Sequence, residues 1–275
     1  MSRPSLRFHR PALGCDFELR FPGDEDASYL RTALESVWDR LESVAAELDP
    51  GRPGSALAAA NRMTAGERLR VPSHLQACLA LAGRLHADTS GAYDARVPAG
   101  ATRAVWMDAR AGAWRLAGAD LVCERPGWRL DLLDLARGLA LDRMGETLRE
   151  WGLGHALLVA GGSVVLALDP PRDAEGWRLA VGDGEVRLAE AALASFGGGS
   201  PGTLTDPRLG QSAPLPRPCR AVAREAAVAA GLARALAAAT PAEAPAWLDG
   251  HPDRGLWTAS GERLGAAARL SGPRS

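Results

Sequence analysis

Apolar positions along the chain change period several times, and each change marks an element. From Ala27 to Leu48 they recur three and four apart, at Leu30, Leu34, Val37, Leu41 and Val44, which predicts an amphipathic helix closed by the Asp49-Pro50-Gly51 turn. Ser55 to Asn61 reads as one or two further helical turns. A second amphipathic helix follows Pro72-Ser73, with Leu75, Leu79, Ala82 and Leu85 on one face. Alternation over Leu13–Phe21 predicts an opening strand, and the Gly-broken stretch Trp106–Cys123 predicts small strands. The clearest run is Arg129 to Leu168. It reads as a strand at Leu130–Leu133, Asp134 as N-cap, and a helix with Leu135, Leu139, Leu148 and Trp151 on or near one face. Gly152 and Gly154 then stop that helix, and an apolar strand interrupted by Gly161-Gly162 follows. Beyond it come a hairpin across Gly182-Asp183-Gly184, a Gly-rich loop from Ala194, and an Ala-rich helix from about Arg224 to Ala239. A small helix and strand around Trp247 and Leu256-Trp257 close the chain.

Composition narrows the class without naming it. The 275 residues are 47% hydrophobic and 24% charged, with a formal net charge of −1. This describes a globular protein whose field attracts neither nucleic acid nor an acidic membrane surface. No segment has transmembrane or signal-peptide length, so the chain reads as cytoplasmic. There is no lysine, and all 32 basic residues are arginine. Cys15, Cys78, Cys123 and Cys219 lack the spacing of a zinc or redox pair and read as buried thiols. The five histidines are scattered, and each reads as a surface or core residue.

The candidate chemistry is anion binding. Arg137 would stand in the first turn of the helix that starts at Asp134. Unpaired N–H groups and the helix dipole favour an anion there and slightly disfavour a cation left alone. The alternative is a surface pair between Arg137 and Asp134 or Asp131. Ser90-Gly91-Ala92-Tyr93-Asp94 reads as a loop displaying Tyr93 and Asp94. Glycines at 161 and 162 allow a ligand or another backbone to come close. Asp206 reads as the cap of a turn in Asp206-Pro207-Arg208-Leu209-Gly210.

Taken in order, these pieces resemble the FAD:protein FMN transferase family of ApbE type. The resemblance rests on Leu13-Gly14-Cys15, Ser55 with Asn61, Gly91-Ala92-Tyr93-Asp94, Asp131 through Gly138, Gly161-Gly162, Ser195-Phe196-Gly197, Asp206 through Gly210 and the Ala-rich helix at 226–236. It covers nearly the whole chain. It implies a single domain over residues 1–275, with an α+β fold, ApbE-like and T-fold-like, of mixed sheets flanked by helices. It also implies transfer of FMN from FAD to a Thr or Ser of an acceptor flavoprotein. Flavin contacts are implied at Ala92, Tyr93, Asp94, Asp131, Arg137, Gly161, Gly162 and Thr205, with Asp94, Asp131 and Arg137 expected to line one pocket and Gly161-Gly162 and the Ser195–Gly199 loop around it.

Several positions depart from the family's pattern. Two glycines of its Asp-Leu-Gly-Gly-x-x-Lys-Gly motif are Leu133 and Asp134 here, and its Lys is Arg137, which keeps the charge and adds a fork suited to phosphate. The family's late-helix metal ligands, an Asp and a Thr, fall on Ala230 and Arg234. Its proposed catalytic His falls on Thr203, leaving the catalytic group unassigned. Magnesium, the family's usual metal, is therefore in doubt, with Asp134 as the one carboxylate returned to that region. The alternative function is a flavin- or nucleotide-binding homologue without transfer activity.

Overall fold

The computed structural model describes residues 5–23, 25–98, 114–125, 127–182, 184–197, 203–214, 218–240 and 242–269. In chain order, the first half comprises β1 (Ser5–Ala12), β2 (Cys15–Pro22), α1 (Ala27–Leu48), α2 (Ala56–Ala60), β3 (Arg68–Arg70), α3 (Ser73–Asp88) and β4 (Arg96–Pro98), then β5 (Trp114–Ala117), β6 (Asp120–Cys123), β7 (Trp128–Leu130) and α4 (Leu133–Glu150). The second half comprises β8 (Leu157–Ala160), β9 (Val164–Ala167), β10 (Trp177–Val181), β11 (Gly184–Leu188), β12 (Ala191–Phe196), β13 (Thr203–Asp206), β14 (Gln211–Pro214) and β15 (Cys219–Ala223). After these come α5 (Ala226–Ala238), a 3-10 turn (Ala244–Leu248), β16 (Gly255–Trp257), β17 (Arg263–Gly265) and α6 (Ala266–Arg269).

The main sheet runs β1-β2-β8-β9-β12-β15-β16-β17, and its described pairings are antiparallel. Its faces follow the two-residue alternation of a strand. Leu158 and Ala160 of β8, Ala192 and Ala194 of β12, and Ala221 and Ala223 of β15 point to a core shared with α1, α3, α4 and α5. Leu157, Val159, Leu193 and Val222 point to the other side, where the β10–β11 hairpin covers them with Leu179, Val181, Val186 and Leu188. Small residues on the helix side let α5, itself mostly alanine, lie close against β12 and β15. In turn α5 packs on α4, and α4 on α1.

The expected helices are present with nearly the expected limits. Asp26 caps α1 through Ser28 N–H at 2.7 Å and Tyr29 N–H at 3.0 Å, and the Ser55 hydroxyl accepts from Ala58 N–H at 3.0 Å to start α2. Three strand readings change. The strand expected over Leu13–Phe21 starts at Cys15 and has a preceding partner outside that alternation, because Leu13 and Gly14, with φ of 49° and 69°, form a two-residue hairpin turn between β1 and β2. Gly161-Gly162 does not interrupt a strand. With φ of 56° and 70°, the pair turns β8 back into β9. Ser195 and Phe196 lie within β12 and not in a loop, while residues 198–202 of the expected Gly-rich loop, like 106–113, lie outside the described residues.

Candidate functional site

The site begins where β7 meets α4. Asn61 holds the end of β7, its Oδ1 accepting Leu130 N–H at 2.7 Å and its Nδ2 donating to Leu130 O at 3.0 Å. The next residue, Asp131, donates its N–H to Ala95 O at 2.7 Å, which ties the start of α4 to the Tyr93-Asp94 loop. Replacing Asn61 by alanine removes both partners of a buried residue. It is expected to cost about 1–3 kcal/mol, read as a lower urea midpoint; an unchanged midpoint would show that water takes over both bonds.

The helix starts two residues earlier than the sequence implies. Leu132 is the N-cap, with no side-chain cap bond, so Asp134 is not the cap and sits inside the first turn. Its carboxylate is used elsewhere. Arg234, two turns into α5 and 11% exposed, places Nη2 2.9 Å from Asp131 Oδ2 and Nη1 3.4 Å from Asp134 Oδ2. The guanidinium carbon lies 5.9 Å from the Tyr93 ring centroid, within cation–π range. Burial pushes the Asp134 carboxyl above its ordinary pKa, and the Arg234 charge opposes that shift.

Arg137 stands one turn further along α4. Its Nε donates to Leu13 O at 3.1 Å in the β1–β2 turn, and it makes no carboxylate pair among the described residues. The pairing alternative is thus not the one adopted: Arg234 takes both Asp131 and Asp134. Beside Arg137 lies Cys15, whose thiol is raised by burial while the guanidinium pulls it down. A Cβ at Gly161 would fall 2.8 Å from Cys15 Cβ, so the glycine lets β2 and the β8–β9 turn close against each other.

Tyr93 is not displayed as expected. It is 1% exposed, its hydroxyl buried without a hydrogen-bond partner among the described residues, because it fills the space between the Ser90–Asp94 loop and α5. Asp94 is committed to Arg96, with Oδ1 accepting its N–H and Nε at 2.8 Å each and Oδ2 facing Nη2 at 2.6 Å; His86 Nδ1 is 3.0 Å from Tyr93 O. Arg208 lies against Gly91 and pairs with both Asp206 and Glu243, so the Asp206–Gly210 turn borders the same loop. Asp206 binds Arg208 N–H at 2.8 Å, as a turn-capping Asp should.

The structure therefore gathers Ala92, Tyr93, Asp94, Asp131, Asp134, Arg137 and Gly161 around the N-terminal half of α4. It does not put all the expected residues in one pocket. Gly162 and Ser195 line a separate cavity of about 390 Å³ with Arg20, Arg178 and Arg220, between β10 and the sheet. The side chains of Thr203 and Thr205 lie outside the described residues. Arg96 and Asn61 were missed as site-building residues, although Asp-x-Arg spacing at 94–96 offered a local signal for the first. Nothing local signals that Leu13 O holds Arg137 across 124 positions.

The donor set does not fit a hard divalent cation. Magnesium takes oxygens in near-octahedral geometry, whereas Ala230 offers a buried methyl and Arg234 a positive charge on the two nearest carboxylates. Among the described residues, no three His, Cys, Asp or Glu side chains stand together as a metal site would require.

The ApbE family model matches residues 13–256 of this sequence. The chain belongs to the ApbE family. It is similar in fold to the flavin transferase ApbE from Vibrio cholerae, at TM-score 0.77 and 20% identity, over 98% of this chain and 100% of that one. The Pseudomonas stutzeri flavinyl transferase ApbE in its apo form matches at 0.76 and 20%, covering 96% of each chain. The ApbE protein from Thermotoga maritima matches at 0.74 and 17%, over 94% and 96%. No curated protein sequence matches this one. Among the described residues no helix is long and apolar enough to cross a membrane.

Proposed function

We propose that this ApbE-family chain binds FAD and transfers its FMN half to a Thr or Ser hydroxyl of an acceptor flavoprotein. The family match over residues 13–256 carries this reading, and the grouping of Asp131, Asp134 and Arg137 at one helix start supports it. In the reaction, the bond between the FMN phosphorus and the bridging oxygen of the pyrophosphate breaks, and a bond from the acceptor hydroxyl oxygen to that phosphorus forms. AMP leaves with the bridging oxygen, and the hydroxyl proton is released. This chain's residues bind and orient. Arg137, fixed through Nε by Leu13 O, turns its terminal nitrogens toward a phosphate at the amide end of α4. The Ser90–Asp94 loop and the β8–β9 turn at Gly161 border the nucleotide. Four free cysteines favour a reducing compartment, and the cytoplasm belongs to the same proposal.

Incubation with FAD and a threonine-bearing acceptor tests this by mass spectrometry: the acceptor should gain one FMN and the solution one AMP. FAD binding without either product would assign the chain instead to flavin carriage.

Arg137→Ala is expected to weaken FAD binding by about ten- to a hundredfold, since a charge-assisted hydrogen bond contributes roughly 1.5–3 kcal/mol. Calorimetric titration reads this directly, and an unchanged dissociation constant would return Arg137 to a structural role beside Leu13.

A further inference from the structure

Asp131 and Asp134 set two negative charges beside the place where the reading above puts a pyrophosphate. Left alone they would repel it. An anion site containing carboxylates needs a cation to neutralise them, either bound from solution or supplied by the chain. Here the chain supplies one: the Arg234 guanidinium reaches both carboxylates, at 2.9 Å and 3.4 Å. It is held from behind by burial, with only 11% of its side chain exposed, and by the Tyr93 ring. A divalent ion approaching the same carboxylates would meet a fixed positive charge a few ångströms away. It would also find one oxygen of each carboxylate already engaged, and none of its remaining ligands could come from Ala230. With Arg137 added, the four charged groups sum to zero, so a phosphate can enter without bringing a metal.

We propose that Arg234 is the resident cation of this site, a positioning residue that replaces a divalent metal between Asp131 and Asp134, so that flavin nucleotide binds without one. The inference about flavin rests on the function proposed above, whereas the exclusion of metal does not.

Two measurements test the parts separately. Manganese titrated into the flavin-free protein, followed by the paramagnetic signal of the free ion, should show no tight site in wild type. Arg234→Ala, which frees both carboxylates, should gain one, with affinity raised about tenfold or more. FAD should bind wild type with affinities that agree within about twofold in excess magnesium and in chelator. In Arg234→Ala it should bind about tenfold more weakly under chelator and recover with magnesium, and Arg234→Lys should keep metal-independent binding. Tight manganese binding by wild type would overturn the proposal, whatever flavin does, and so would a tenfold loss of wild-type FAD affinity under chelator. If FAD binds under neither condition, the proposed function fails, while the manganese result still decides the role of Arg234. Should Arg234→Ala not fold, the wild-type titrations and Arg234→Lys decide alone.

Discussion

Gly138→Val is expected to destabilise the protein by about 3 kcal/mol or more, at the upper end for overpacking a rigid contact. A Cβ at Gly138 would stand 2.4 Å from Ala227 Cα, 2.5 Å from Ala227 N and 2.7 Å from Ala226 C. Those atoms are backbone at the start of α5 and cannot turn aside as a side chain would. The two helices must separate, and α5 carries Arg234, so flavin affinity should fall with stability. Urea denaturation and FAD titration of the same variant read both effects. Gly83→Ala is the control: a methyl group added at this exposed helical glycine would have nothing within 4 Å, and the change should be neutral or stabilising by up to about 1 kcal/mol. A wild-type midpoint for Gly138→Val would show that the helix pair can part at no cost.

The second large effect is a pH dependence centred on Asp142. Its carboxylate caps α5, accepting Ala226 N–H at 2.7 Å and Ala227 N–H at 3.0 Å. Burial nonetheless pushes its pKa up to about 7; the two N–H groups oppose the shift, and Glu225 and Glu146 add to it. Between the unfolded value near 4 and the folded value near 7, the native state holds the extra proton. The stability this confers is complete below about pH 4 and is lost as pH rises through 7. Asp142→Asn cannot titrate. Wild type should therefore lose about 2–3 kcal/mol relative to this variant between pH 5 and pH 8, at roughly 1.4 kcal/mol per pH unit up to the folded pKa. Urea midpoints at both pH values check this. A gap that stays constant would mean that the two amide donors and the helix dipole keep Asp142 ionised throughout.

Much of the fold was legible because helix and strand periods are local properties of the chain. The limits of α1 follow from the spacing of Leu30, Leu34, Val37, Leu41 and Val44 and from the turn at Asp49. The β10–β11 hairpin follows from two glycines between alternating runs. Local chemistry was less reliable at element ends. Asp134 had the right type for a cap, but the chain entered the helix at Leu133 and left the carboxylate facing Arg234, 100 residues away. Leu13 reads as the first residue of a strand because it is apolar and the alternation of β2 follows it, although with Gly14 it forms the turn. Order along the chain indicates which segments meet, yet not which atoms: the pattern sets Arg137 near a helix start, where the structure has it, while its fixed partner is a backbone carbonyl that no side-chain pattern announces. Replacement of the family's Asp and Thr by Ala230 and Arg234 was visible as a departure from its pattern, but the ion pairs that absorb it were not.

The bond from Arg137 to Leu13 O makes the tip of an edge hairpin part of the proposed ligand site. Among the described residues strand β1 pairs with β2 alone and forms one edge of the sheet, where a protease or a fused tag can pull it away. Damage there would reach the guanidinium through a single carbonyl oxygen, and would also loosen Leu13, which is buried in the main core. A preparation nicked near residue 12 should therefore bind its nucleotide poorly as well as melt early, and both readings belong in its quality control.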